Sequence, residues 1–266
     1  MPGHLIDYHS YNSIPMFIYQ ILFQKADWPK SEMESFLYDA DFFIRSLRSN
    51  GQLVSLNEVF LFQKDMVWLH VQCLKKDSLD ERYNSDYVNQ WTSILMERYD
   101  VTISYKYVGE HLVSIPTAEI TSSNSLILYW GGASPIRSGD SFDPIPLYSF
   151  PYTHTRHRNY EDINSWSRSY EEIDGLWFRG SMGEKQFHNY LSDIKSPLTM
   201  QGRSICNKLE ELTGKPSYYY LFNYDSRKME QSCPSCGGHW QLESKLLEKF
   251  DLKCDHCRLV SERVKD

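Results

Sequence analysis

Cysteines are few in this sequence, and long apolar runs are missing. Six cysteines in 266 residues are too sparse for a disulfide scaffold. Four of them stand in two CxxC pairs, which in a reducing compartment points to metal before disulfide. No apolar stretch approaches the roughly 20 residues that cross a bilayer as a helix, so no membrane partner is expected. The start, MPGHLIDYHSYNSIP, has neither a basic region nor an apolar core. No secretory signal is expected there, and the reading is a soluble, cytoplasmic protein. HExxH, P-loop, GxSxG and dinucleotide fingerprints are absent, and the carboxylates show no pairing pattern. Nothing positive therefore argues for an enzyme, and the expectation is a non-enzymatic binding protein. Internal repeats and low-complexity tracts are also missing.

A basic segment is lacking too. Residues 1–130 carry 10 Lys and Arg against 16 Asp and Glu, residues 131–229 carry 12 against 12, and residues 230–266 carry 6 against 7. Non-specific nucleic-acid binding rests on neutralising phosphates with Lys and Arg, and no segment advertises it.

What is present reads as alternating strands and helices. Met16–Phe23 is a near-continuous apolar run suited to a buried strand. Ser31 and Glu34 have capping-box spacing. Met33, Phe36, Leu37, Ala40, Phe43, Ile44 and Leu47 then recur at helical spacing, and Asn50-Gly51 supplies a stop. Leu53–Phe62 and Met66–Leu74 read as strands joined by a turn around Gln63-Lys64-Asp65. A second helix is expected from Asp86 to Tyr99, with Val88, Trp91 and Leu95 inward. An alternating strand through Val101, Ile103, Tyr105 and Tyr107 follows. The order β-α-β-β-α-β predicts a ferredoxin-like α+β domain over residues 1–130. Ser125–Trp130 adds a strand.

Glycines and prolines then break regular structure from Gly131 to Pro151, which reads as a long ordered connection and a domain boundary. A mainly helical region is expected over 131–229. It has helices through Trp166, Tyr170 and Ile173, through Phe187, Tyr190, Leu191 and Ile194, and from Ser196-Pro197 to Gly214. Ser217–Tyr224 reads as a strand leading into a zinc ribbon at 230–266.

In that ribbon, Cys233-Pro-Ser-Cys236 and Cys254-Asp-His-Cys257 are separated by seventeen residues, a spacing in the range for one zinc ion. A two-residue spacer lets both sulfurs of a knuckle reach one ion at about 2.3 Å, and two knuckles give tetrahedral S4 coordination. Cys233, Cys236, Cys254 and Cys257 are therefore the expected ligands of one structural Zn2+. His239 or His256 could replace a cysteine, although four cysteines in register make this unnecessary. A catalytic zinc normally keeps an open position. Gly237 and Gly238 free the backbone for a tight turn. His239–Phe250 can form a hairpin with Trp240, Leu242 and Phe250 as a minimal core. Such a module is too small to fold without metal, so Cys254→Ala is expected to unfold residues 230–266 locally.

Other candidates have structural alternatives. Cys73 and Cys206 lie alone in apolar patterns and read as buried thiols. His154, Arg156, His157 and Arg158 form the one compact basic cluster, suited to phosphate or to a solvated loop. Trp130-Gly131-Gly132 and Arg137–Phe142 make an unusual loop, functional or packed at the boundary. Tyr218, Tyr219 and Tyr220 could stack bases, but alternating faces put at least one in the core.

The run Gln201-Gly-Arg-Ser-Ile-Cys-Asn-Lys-Leu-Glu-Glu-Leu-Thr-Gly-Lys-Pro-Ser-Tyr-Tyr-Tyr-Leu, followed by CPSCGGHW and FDLKCDHCRLVS, resembles an uncharacterised bacterial zinc-ribbon-containing family for which nucleic-acid binding has been suggested. Ser134-Pro-Ile-Arg-Ser-Gly-Asp-Ser and Pro146-Leu-Tyr resemble its central loop. The resemblance covers roughly residues 125–266. It implies the same four cysteine ligands. It also implies cysteines in relatives where this chain has Ser138 and Ser141, and so no second thiol site here. The nucleic-acid suggestion rests on ribbons being common in such proteins.

Two functions follow as expectations. One is a zinc-ribbon binding protein for nucleic acid. The other is a protein–protein partner, such as an immunity or adaptor protein, whose acidic first half suits a basic partner.

Overall fold

The computed structural model describes residues 17–54, 57–111, 116–180, 182–224 and 231–263. The chain is a mixed α+β protein whose described residues form two sheets.

In the first unit, β1 (Phe17–Gln24) and β3 (Met66–Cys73) alternate inward and outward residues. Their register sets Tyr19 opposite Val71, Ile21 opposite Leu69 and Phe23 opposite Val67, so one face is continuously apolar. β4 (Thr102–Glu110) pairs with the other side of β1, and β2 (Leu61–Gln63) with the outer side of β3. The order is β2-β3-β1-β4, with antiparallel pairs throughout. Two helices cover the apolar face. α1 (Lys30–Ser49) buries Phe36, Ala40, Phe43, Ile44 and Leu47 at the expected spacing, and α2 (Asp86–Tyr99) buries Val88, Leu95 and Tyr99. Full burial of each large apolar side chain contributes roughly 1.5–3 kcal/mol. Asp39 of α1 clamps α2 by accepting from Arg98 and from the Tyr99 hydroxyl, at 2.9 and 2.8 Å.

Several expectations shift here. Pro29, not Ser31, precedes the first helical residue. Pro29 holds φ at −60°, its carbonyl accepts from Glu32 N–H, and no side chain caps the helix. Ser31 thus lies inside the first turn. Ser85 does cap α2, accepting from Val88 N–H. Of the strand expected over Leu53–Phe62, Leu61 and Phe62 pair as part of β2, while Glu58 pairs with Arg48 at the end of α1; residues 55–56 lie outside the described residues. The Lys64-Asp65 turn stands where expected, with Lys64 at φ 56°. Trp91 is only partly buried and stacks on Phe42. Met16 lies outside the described residues.

The second sheet runs in the order β6-β5-β7-β10-β9-β8. Its strands are β5 (Leu126–Leu128), β6 (Ile136–Ser138), β7 (Ser217–Tyr220), β8 (Gln241–Leu246), β9 (Phe250–Cys254) and β10 (Leu259–Ser261). β7 is parallel to both neighbours, β5 and β10. The helices α3 (Glu161–Arg179), α4 (Glu184–Ser192) and α5 (Pro197–Thr213) lie between β6 and β7 in the chain. Ser196 caps α5 through Thr199 N–H, Pro197 opens it, and Gly214 at φ 70° ends it. α3 and α5 bury Trp166, Tyr170, Ile205 and Leu209 against Leu126, Leu128 and Tyr219 of the sheet. The opposite face holds Ile127, Tyr218, Tyr220, Phe250 and Val260 under Tyr129, Phe142 and Leu246.

This sheet spans both expected boundaries, at 130/131 and 229/230. The Gly131–Pro151 stretch is ordered, as expected, and it also takes part in the sheet. Its β6 pairs with β5, Ile145 N–H donates to Ile136 O, and Ser134 Oγ donates to Ile145 O. β8, β9 and β10 extend the same sheet, and Leu252, Leu259 and Trp240 join the core of α3 and α5.

Gly202 of α5 marks the closest approach of helix to sheet. A Cβ there would sit 2.2 Å from Tyr219 Cε2 and 2.8 Å from Trp166 Nε1, both in side chains with no exposed surface. Gly202→Ala is therefore expected to destabilise the protein by about 1–3 kcal/mol through overpacking, measurable as a lower urea midpoint. On α3, Asp174 is pushed up from 3.8 to about 7, first by burial and then by Glu171. The folded state binds this proton more tightly than the unfolded one, so its contribution to stability is present below about pH 4 and is lost as pH rises through 7. Asp174→Asn is accordingly expected to raise the melting temperature at pH 8 but not at pH 4.

Candidate metal centre

The four predicted ligands converge. The Sγ atoms of Cys233, Cys236, Cys254 and Cys257 all lie within 4.8 Å of one another, and Cys236 and Cys254 are 3.8 Å apart. Tetrahedral coordination at about 2.3 Å per bond requires sulfurs about 3.8 Å apart. All six cysteines are free. The donor set therefore fits a metal ion, and with four protein sulfurs it leaves no open position.

Local backbone geometry explains the convergence. In the first knuckle, Cys233 N–H donates to Gly238 O and Gly237 N–H to Cys233 O, each at 2.8 Å. This tight turn puts Gly237 at φ 73°, a conformation glycine adopts without steric cost. In the second knuckle, Cys254 ends β9 and Cys257 directly precedes Arg258, at φ 53°. Cys257 N–H points at Cys254 Sγ, 3.4 Å away. Both knuckles thus place a left-handed residue immediately after their second cysteine. Between them, β8 and β9 form the expected hairpin, turning through Leu247 and Glu248 at φ 57° and 56°. Trp240 and Phe250 are both buried, but in different cores: Trp240 packs with α3 and α5 and Phe250 on the opposite face of the sheet, so the minimal core expected of them with half-buried Leu242 does not form.

The thiols are electrostatically unequal. The Gly238 amide, followed by Cys257, pulls Cys236 down to about 7. Burial pushes Cys233 and Cys254 up, Cys254 to about 12. A bound cation offsets such burial by stabilising thiolates. His239 and His256 are exposed and stand outside the sulfur cluster, so neither replaces a cysteine.

The other candidates separate. Cys73 and Cys206 are buried in different cores, and burial pushes both thiols far up. Tyr218, Tyr219 and Tyr220 are all buried, because β7 is covered on both faces; this removes them as a base-stacking surface. Ser138 is buried and accepts from Ser123 Oγ, whereas exposed Ser141 accepts from Asp143 N–H. His154–Arg158 forms an exposed turn closed by His154 and Asn159. Its two imidazoles stack at 4.9 Å, and Arg158 pairs with Asp86 of α2 at 2.9 Å.

Sequence reasoning missed the bidentate pair between Arg258 and Glu210 of α5. The partners lie 48 residues apart, and no local pattern announces the pair.

Residues 121–222 match a domain of unknown function (DUF2310), and residues 224–264 match a second domain of unknown function (DUF8594). An uncharacterized protein of Haemophilus influenzae is 34% identical over 225 residues, covering 80% of this chain and 85% of its own length. Another uncharacterized protein of that organism is 37% identical over 164 residues, covering 59% of this chain and 80% of itself. A crystal structure of a conserved protein from Methanosarcina mazei Go1 shares 12% identity over 34% of this chain and 92% of its own, with a TM-score of 0.27, too slight to bear on the fold. With a relative at this identity matched over most of both chains, the protein belongs to the uncharacterised DUF2310 family.

Proposed function

We propose that the four cysteines hold one structural Zn2+, that the C-terminal hairpins form a zinc ribbon, and that the chain is a non-enzymatic binding protein. The observation that carries this reading is the closed S4 donor set, with every sulfur within 4.8 Å of the others. All-thiolate tetrahedral sites suit zinc and serve folding, whereas catalytic zinc keeps a free position. We read the first unit as a ferredoxin-like sandwich, a reading supported by the antiparallel order β2-β3-β1-β4 with both helices on one face.

The ligand we favour is nucleic acid, contacted through phosphate. What supports it is the exposed turn carrying Arg156, His157 and Arg158, which lines a depression with Asp86, Tyr87 and Gln90 of α2; Arg158 pairs with Asp86 there, which leaves Arg156 as the guanidinium offered to phosphate. The buried tyrosines of β7 leave base stacking there without support. A second reading is a basic protein partner. It is supported by the net charge of −6 over residues 1–130, and by exposed Val59, Leu61 and Phe62 at the β2 edge. Such an edge offers unpaired backbone groups to an extended segment.

Three measurements decide. Metal analysis of the purified protein is expected to find one zinc per chain; free thiols without metal would refute the site. Cys254→Ala is expected to loosen hydrogen-exchange protection across residues 126–261, and not only within 230–266, since the ribbon strands share that core. Titration with labelled oligonucleotides at low salt is expected to show binding that weakens with salt. Arg156→Gln combined with Arg158→Gln should reduce that binding and flatten its salt dependence. No binding by the wild type would leave the protein-partner reading, tested by pull-down from the native host.

A further inference from the structure

The second knuckle is gripped from outside. Arg258 forks onto Glu210 of α5, with Nε donating to Oε2 at 2.9 Å and Nη2 to Oε1 at 2.8 Å. Its Nη1 donates to the Asp255 carbonyl oxygen at 2.5 Å, inside the knuckle. The Asp255 carboxylate accepts from Tyr218 Oη of β7 and pairs with Lys253 at 2.9 Å. Helix α5 and strand β7 therefore hold the peptide between Cys254 and Cys257, whose amide faces the Cys254 sulfur. Arg258, the first cause of the shift, also holds the Glu210 carboxyl below its ordinary range. Bidentate guanidinium–carboxylate pairs fix direction as well as charge. The first knuckle is held mainly by its own backbone turn. Among the described residues, its side-chain tie to α5 is Arg203 Nη2 to Ser235 Oγ at 3.5 Å.

We propose that Glu210 and Arg258 are positioning residues for the metal. They set Cys254 and Cys257 in liganding geometry before the ion arrives. Residues that orient ligands from behind change metal affinity by about 10–100-fold when lost, because ordering the ligands otherwise falls on the binding step. The proposal rests on the zinc reading of the four thiols.

The test is the Zn2+ dissociation constant by chelator competition, with Co2+ absorption reporting thiolate coordination. Glu210→Gln is nearly isosteric and is expected to weaken Zn2+ about 10–100-fold, with the four-thiolate Co2+ spectrum intact at saturation. Arg258→Lys keeps the charge and loses the fork; it should weaken Zn2+ similarly, and it carries the test if Glu210→Gln fails to fold. Arg203→Gln should bind Zn2+ as the wild type does. Wild-type affinity in the two fork variants, with metal-free and metal-bound proteins losing equal stability, would reduce the fork to a structural pair and overturn the proposal. A wild-type protein that takes up neither Zn2+ nor Co2+ would overturn the zinc reading itself, and the proposal with it.

Discussion

The position of β7 between two parallel neighbours governs the second unit. Parallel strands cannot be joined by a tight turn; each pair needs a crossover. From β5 to β7 the crossover contains α3, α4 and α5, a helical route across one face. From β7 to β10 it contains β8, β9 and both CxxC knuckles. The cysteine-bearing hairpins therefore occupy the place that a helix fills in the first crossover. A helix satisfies its backbone internally, but two short hairpins alone bury little apolar surface. A metal held by the four cysteines would add a clip across that connection, as other cross-links do for long loops. On the zinc reading proposed above, the ion would stabilise a connection between core strands and not an appended module.

That placement bears on what the protein can bind. The four sulfurs lie at the end of the sheet where β9 finishes and β10 begins, since Cys254 pairs with Leu259. Around them, among the described residues, Lys253 pairs with Asp255 and Arg258 with Glu210, so these cations are neutralised where they stand. The exposed turn with Arg156 and Arg158 lies away from the sulfur cluster, and the exposed apolar edge lies in the first unit. On the function proposed above, ligand contact and metal binding would fall on different surfaces.

The local elements were legible wherever one face alone is buried. The period of α1 is written in Phe36, Ala40, Phe43, Ile44 and Leu47. The cap and stop of α5 are written in Ser196, Pro197 and Gly214. The four metal ligands were legible because CxxC spacing is itself a geometric statement. What stayed hidden depended on distant pairing. β6 is three residues long and earns its place only beside β5, so its Gly- and Pro-rich surroundings read as a connection. The tyrosines of β7 read as one buried face and one open face. Nothing local announces that Phe142, Phe250 and Leu246 return to cover the second face. The Glu210–Arg258 fork spans 48 residues, beyond any periodic signal.

The seam between the units completes the argument, because it fixes how those separate surfaces face. Gly51, at φ 79°, lets the end of α1 approach Leu147 closely; a Cβ there would lie 2.7 Å from Leu147 Cβ. Around this contact the seam is polar. Asn164 Nδ2 donates to Ser49 O at the surface, and Ser78 Oγ meets Tyr148 Oη at 2.9 Å in a partly buried bond. Within the first unit, Gln52 Nε2 donates to Ser78 O and so holds Ser78 in place for that contact. An apolar seam would bury more but would tolerate sliding. Directional bonds favour one orientation, the partly buried one more than the solvent-exposed one. The acidic first unit, the basic turn and the second sheet therefore share one polar seam. A ligand touching the depression between α2 and the His154–Arg158 turn would read both units at once.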